Sequence, residues 1–104
     1  MRNLLAFLKA KRRPSIAPRA EFIARGEGFR LSRGAEVFEG ICYMDYYRDE
    51  WSKLALMSDS IRQVSPAGSG PLTPEQQDAL AVEAMHLFQL RTGDTQVSVA
   101  RTAA

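Results

Sequence analysis

The 104-residue sequence predicts an α+β domain, an antiparallel sheet of about five strands with one long C-terminal helix packed on one face. Three observations support this fold class. Between residues 21 and 64, apolar and polar residues alternate in short runs separated by glycines or charged residues. A helix-start signal at Thr73-Pro74 precedes residues 75–92, which contain no proline or glycine and end before Gly93. The chain length suits one domain, which we place at residues 20–100, with a loose tail at 101–104.

The first nineteen residues predict a basic leader and linker. Residues 1–20 contain six basic residues and no acidic one, whereas the remaining residues contain eight basic and twelve acidic ones. Leu4, Phe7 and Leu8 have helical spacing, so a short basic amphipathic helix is expected, followed by a proline-containing linker. A uniformly basic nucleic-acid-binding domain is disfavoured, because the excess of cations belongs to the leader. The candidate contacts to an anionic surface are Lys9, Lys11, Arg12 and Arg13.

The strands are predicted from period-two alternation and from the residues that interrupt it. Two alternating runs flank Gly26-Glu27-Gly28, which indicates a β-hairpin. A longer strand follows at 36–47, in which Gly40 marks a bulge or a close approach of two chain segments. Runs at 51–57 and 60–64 extend this to four or five antiparallel strands in meander order, and 95–99 predicts a final strand.

The helix is the clearest local prediction in the chain. Thr73 is a suitable N-cap, Pro74 occupies the first helical position, and Gln76 completes a capping box. Gly93 predicts the end of the helix after Thr92. The residues expected to face the sheet are Leu80, Ala81, Ala84, Leu87 and Phe88.

Three more apolar residues, Val82, Met85 and Leu90, widen the apolar arc of this helix beyond what one sheet face requires. A second surface is therefore expected to cover the flank of the helix. The leader, a partner protein or a second copy of the chain are all suitable. We predict a homodimer whose interface includes Val82 and Met85, together with the Tyr43 and Tyr47 face of the sheet.

A cluster of aromatic and acidic residues, Cys42-Tyr43-Met44-Asp45-Tyr46-Tyr47, ends the longest predicted strand. Alternation places Tyr43, Asp45 and Tyr47 on the open face of the sheet and their neighbours on the helix side. These three residues form a candidate binding surface for a partner or a ligand. Cross-strand aromatic pairing that only stabilises the sheet is the structural alternative.

The residue content argues against most catalytic and metal chemistry. The single cysteine, Cys42, allows no intramolecular disulfide, and with the single histidine, His86, it makes a zinc site improbable on composition. Neither residue has an activating partner nearby in sequence, and the Gly-x-Gly at 26–28 lacks the rest of a dinucleotide fingerprint. We therefore expect no catalytic residues, no cofactor and no metal, in a cytoplasmic protein that is not an enzyme.

The C-terminal half resembles a group of small, mostly uncharacterised bacterial α+β domains, some of which are predicted immunity proteins of toxin systems. The resemblance covers residues 50–100. It rests on Ser60-Ile61-Arg62, on Pro71 to Gln76, on the helix ending at Gly93 and on Val97-Ser98-Val99. It implies a non-enzymatic, immunity-like module that binds a protein or itself. The alternatives are a small enzyme or ligand-binding domain that uses the Tyr43, Asp45 and Tyr47 face, and attachment to a membrane or nucleic acid through the leader.

Overall fold

The computed structural model describes residues 17–47, 50–92 and 96–102. The predicted leader helix, with Lys9, Lys11, Arg12 and Arg13, lies outside the described residues, as does Gly93. The described chain forms a six-stranded sheet and one long helix. Their bounds are β1 Arg19–Ile23, β2 Gly28–Arg33, β3 Glu36–Tyr47, β4 Glu50–Met57, β5 Arg62–Ser65, α1 Pro74–Thr92 and β6 Gln96–Ala100.

The sheet is mostly antiparallel, and its strand order is β1-β2-β3-β4-β6, with β5 paired to β3. The prediction of an α+β fold with a C-terminal helix on the sheet is confirmed. The predicted all-antiparallel meander of about five strands is corrected in one respect, because β6 lies parallel to β4. Parallel neighbours need a long crossover connection. The segment between β5 and β6 contains α1, which supplies that connection.

The twelve-residue strand β3 organises the sheet because it pairs along both of its edges. β2 occupies one edge, and β4 followed by β5 occupies the other. A short turn, Ser58–Ser60, separates β4 from β5. Ser60 bridges β3 and the end of β4 where the backbone pairing is interrupted. Its hydroxyl accepts a hydrogen bond from the Ile41 amide at 2.7 Å and donates one to the Met57 carbonyl at 2.6 Å.

Gly40 is a point of close approach, as one of the two sequence interpretations proposed. A Cβ atom at this position would lie 2.9 Å from two ring carbons of Phe29 and 3.0 Å from the Ser60 hydroxyl. The alternative interpretation, a bulge at Gly40, is wrong, because its pairing with Phe29 continues the β2–β3 register without a break. The irregularities of β3 lie between Val37 and Phe38 and between Asp45 and Tyr46.

The start of α1 agrees with the predicted capping box. The Thr73 hydroxyl accepts from the Gln76 amide at 3.1 Å, and the Gln76 side-chain oxygen accepts from the Thr73 amide at 2.8 Å. The Gln77 side chain donates to the carbonyls of Asp59 and Ile61, which fixes the first turn of the helix on the segment between β4 and β5. Local capping and tertiary contacts therefore define the same helix start.

One hydrophobic core lies between α1 and the inner face of the sheet. Alternate residues of each strand point into it, and the intervening residues point away from the helix. Phe88 is at its centre, stacked on Phe22 with ring centroids 4.7 Å apart and edge-on to Phe29 at 6.5 Å. The fully or nearly buried members are Ala20, Phe29, Leu31, Phe38, Cys42, Leu54, Leu56, Ile61, Leu80, Ala81, Ala84, Phe88 and Val97.

Candidate binding surface

The sheet face turned away from α1, which we call the open face, carries the two most exposed large apolar side chains of the described strands. Ile41 and Tyr43 are two residues apart on β3, so they point to the same side. Their exposed fractions are 48% and 62%, whereas Cys42 between them is buried in the core. The prediction that Tyr43 faces outward and Cys42 inward agrees with these burial values.

A row of alternating charges crosses the open face on four neighbouring strands. Glu21 of β1 pairs in register with Arg30 of β2, Arg30 pairs with Glu39 of β3, and Glu39 pairs with Arg62 of β5. Arg30 and Glu39 form an ion pair at 2.8 Å. Within the described chain, Glu21 and Arg62 at the ends of the row make no ion pair. We call these four residues the charged row.

A second row, nearer to Tyr43, is apolar and contains a depression. It consists of Ile23 of β1, Gly28 of β2 and Ile41 of β3, which are cross-strand neighbours. A cavity of about 290 Å³ lies beside this row, and the Ile23 side chain packs closely over Gly28. Its lining residues are Ile23, Ala24, Glu27, Gly28, Glu39, Gly40, Ile41, Ser60 and Arg62.

The connection between β1 and β2 forms one rim of this cavity and has an uncommon backbone conformation. Ala24, Arg25 and Gly26 all have positive φ values, 51°, 57° and 90°. The left-handed region costs a non-glycine residue about 1–2 kcal/mol. Contacts to β3 offset this cost, because Cys42 donates from its amide to the Glu27 carbonyl at 3.2 Å and from its thiol to the Gly26 carbonyl at 3.4 Å.

Burial also determines the chemistry of Cys42. Loss of solvent around the thiol raises its pKa to about 11. The thiol is therefore almost entirely protonated near neutral pH, and the nucleophilic thiolate is scarce. Cys42 acts as a small core residue that holds the β1–β2 turn.

The predicted site residues fall on two opposite sides of the molecule. Tyr43 lies on the open face, and the backbones of Asp45 and Tyr47 pair with Lys53 and Glu50 in β4. Val82 lies on α1 with 39% of its surface exposed, and Met85 is partly buried against the core. Because α1 covers the inner face of the sheet, a single contact with one partner cannot include both Val82 and Tyr43.

Two carboxyl groups, Asp78 of α1 and Asp59 of the segment between β4 and β5, have pKa values that are lowered for structural reasons. The Arg101 guanidinium bonds to Asp78 at 2.8 Å and keeps the pKa of that carboxyl below its usual value. A hydrogen bond from the Thr102 side chain is the main cause of the lowered pKa of Asp59, and the Thr102 amide, which donates to Asp59 at 3.3 Å, lowers it further. These bonds fasten residues 101 and 102, part of the predicted loose tail, to the first turns of α1 and to the segment after β4.

A larger groove of about 420 Å³ lies between the start of β1 and the end of α1. Its lining includes Pro18, Leu87 and Leu90, and Leu90 has an exposed fraction of 84%. The groove adjoins Ala17, where the described chain begins.

Comparisons with protein-family models, with curated proteins and with solved structures find no match to this chain. The resemblance of residues 50–100 to immunity-like domains therefore stays a prediction. Among the residues that the structure describes, no three His, Cys, Asp or Glu side chains are grouped so that they could hold a metal ion. Within the same ranges, no helix combines the length and the apolar content needed to cross a membrane.

Proposed function

We propose that this protein is a non-enzymatic binding module whose open face contacts a protein partner. The supporting observation is the adjacent pair Ile41 and Tyr43, both large, apolar and about half exposed or more. Contiguous exposed apolar patches bordered by polar residues are typical of interaction sites. Here the charged row supplies the polar border on one side. The immunity-like role implied by the resemblance would place a toxin protein, or a second copy of the chain, on this face.

The other exposed apolar residues give weaker support for a partner on the helix. Val82 is exposed on α1, but Met85, three residues later, already packs against the core. Scattered single apolar residues are ordinary on protein surfaces and need no partner. Leu90 belongs to the groove beside the start of the described chain. The open face is therefore better supported than α1 as the surface that contacts a partner.

A catalytic use of the same face has less support. Of the carboxylates that line the cavity, Glu39 is neutralised by its ion pair with Arg30. Glu27 lies on an exposed turn, without the burial that desolvates a carboxyl group. A general acid or base needs a shifted pKa near the operating pH, which desolvation or a like charge would have to produce. The described groups of this cavity are arranged to bind rather than to transfer protons.

The proposal is tested by site-specific photo-crosslinking in cells that naturally make the protein. p-Benzoylphenylalanine replaces Tyr43 in one version and Gln89, an exposed residue of α1, in the matched control. We expect a discrete crosslinked protein adduct from position 43 and none from position 89. An adduct that is heavier by the mass of one chain identifies a second copy of the protein, and an adduct heavier by a different mass identifies another protein. Either result supports the proposal. Equal labelling at both positions, or none at position 43, contradicts it.

A further inference from the structure

The order of charges on the open face restricts what can bind there. The charged row reads negative, positive, negative, positive from β1 to β5. When a second copy of the row faces the first with its strand order reversed, every carboxylate lies opposite a cation. A twofold axis that runs parallel to the strands, between β2 and β3, performs this reversal. A twofold axis along the row would instead leave like charges opposite each other.

We infer that the open face binds a second copy of this chain, in a face-to-face twofold dimer with its axis parallel to β2 and β3. Glu21 of one copy then faces Arg62 of the other, and Arg30 faces Glu39. This inference rests on the proposed function and names its partner. Two sheets packed in this way lie about 10 Å apart and keep their strands within about 30° of each other.

The apolar row supports the same axis independently of the charges. Reversal of the strand order places Ile41 of one copy opposite Gly28 of the other, because these residues are register partners on β3 and β2. Ile41 projects from the sheet with nearly half of its surface exposed, and Gly28 is one of the residues that line the 290 Å³ cavity beside it. Each copy thus supplies one projecting side chain and one depression. A contact with both elements is self-complementary, as a twofold interface must be.

The ends of the charged row allow a test that leaves the core and the internal ion pair intact. Glu21 and Arg62 form no ion pair with any described residue, and their register places them on the same side of the sheet as Arg30 and Glu39. Glu21→Arg and Arg62→Glu each place like charges opposite each other in the dimer. The double variant restores opposite charges at both ends. Rescue by the double variant is therefore a signature of this axis.

Sedimentation equilibrium of the purified full-length protein measures the association constant of each variant, with circular dichroism to verify folding. We expect a dimer for the wild type, about tenfold weaker association for each single variant, and recovery in the double variant. Ile41→Lys, which carries a charge into the cavity, should abolish the dimer, whereas Val82→Lys on α1 should leave it unchanged.

Three results would overturn the inference. They are a wild type that stays monomeric at the highest soluble concentration, single variants that associate as strongly as the wild type, and a double variant no stronger than the singles. A monomer that nevertheless gives an adduct of unrelated mass from position 43 would refute the homodimer alone. The proposed binding role of the open face would then stand.

Discussion

Phe88→Ala should lower the free energy of unfolding by about 3–5 kcal/mol, the range typical of removing a large aromatic side chain from a core. Phe88 is fully buried and joins the two ends of the core, stacking on Phe22 of β1 and meeting Phe29 of β2 edge-on. A domain of this size has a total stability of about 5–15 kcal/mol. The substitution should therefore remove a large part of it and lower the midpoint of urea unfolding strongly.

Leu90→Ala is the matched control for this experiment. Leu90 lies on the same helix, two residues further on, but most of its side chain is exposed. Substitutions at exposed positions usually change the free energy of unfolding by no more than about 0.5 kcal/mol. Equal destabilisation by the two variants would show that α1 packs on the sheet through a different face.

Gly40→Ala should destabilise the protein by about 1–3 kcal/mol, the usual cost of overfilling a packed site. The new methyl group would meet the Phe29 ring at 2.9 Å and the Ser60 hydroxyl at 3.0 Å. Neither neighbour can move freely, since Phe29 is fully buried and Ser60 holds both Ile41 and Met57. In an unobstructed strand, replacing glycine with alanine would instead be stabilising by about 0.5–1 kcal/mol.

Chemical denaturation of a double-mutant cycle separates the clash with Phe29 from the stabilisation that replacing a glycine would otherwise give. In a Phe29→Leu background the ring is gone, so Gly40→Ala should cost less than it does in the wild type. An identical cost in both backgrounds would mean that Phe29 does not lie over Gly40. A gain in stability in the wild-type background would contradict the close approach altogether.

Local signals account for the elements that the sequence predicted well. The bounds of β3 and α1 agree with the predicted 36–47 and 74–92, because alternation and capping act between residues close in sequence. The parallel pairing of β6 with β4 depends on how α1 carries the chain across the sheet, which no local pattern encodes. The left-handed turn at Ala24 and Arg25 was missed because neither residue type favours positive φ.

The candidate site was predictable only in part. Alternation along β3 was enough to predict that Tyr43 faces outward. The charged row could not be recognised in advance, because its members come from four strands and become neighbours only through the register. Arg62 in particular reaches the row because β5 continues along the edge of β3 that β4 leaves free. Tyr43 and Val82 lie on opposite sides because α1 covers the inner face of the sheet, which the helix pattern alone did not reveal.

The most direct test of the open face as the interaction surface is a concentration series of two-dimensional NMR spectra of the unmodified protein. The signals of Ile41, of Tyr43 and of Ala55, the β4 residue that pairs with Tyr43, should shift or broaden as the concentration rises from low micromolar towards millimolar. Those of Val82 and Gln89 on α1 should stay constant, since the helix lies on the other side of the sheet. Spectra that do not change with concentration, or changes confined to α1, would contradict self-association through the open face.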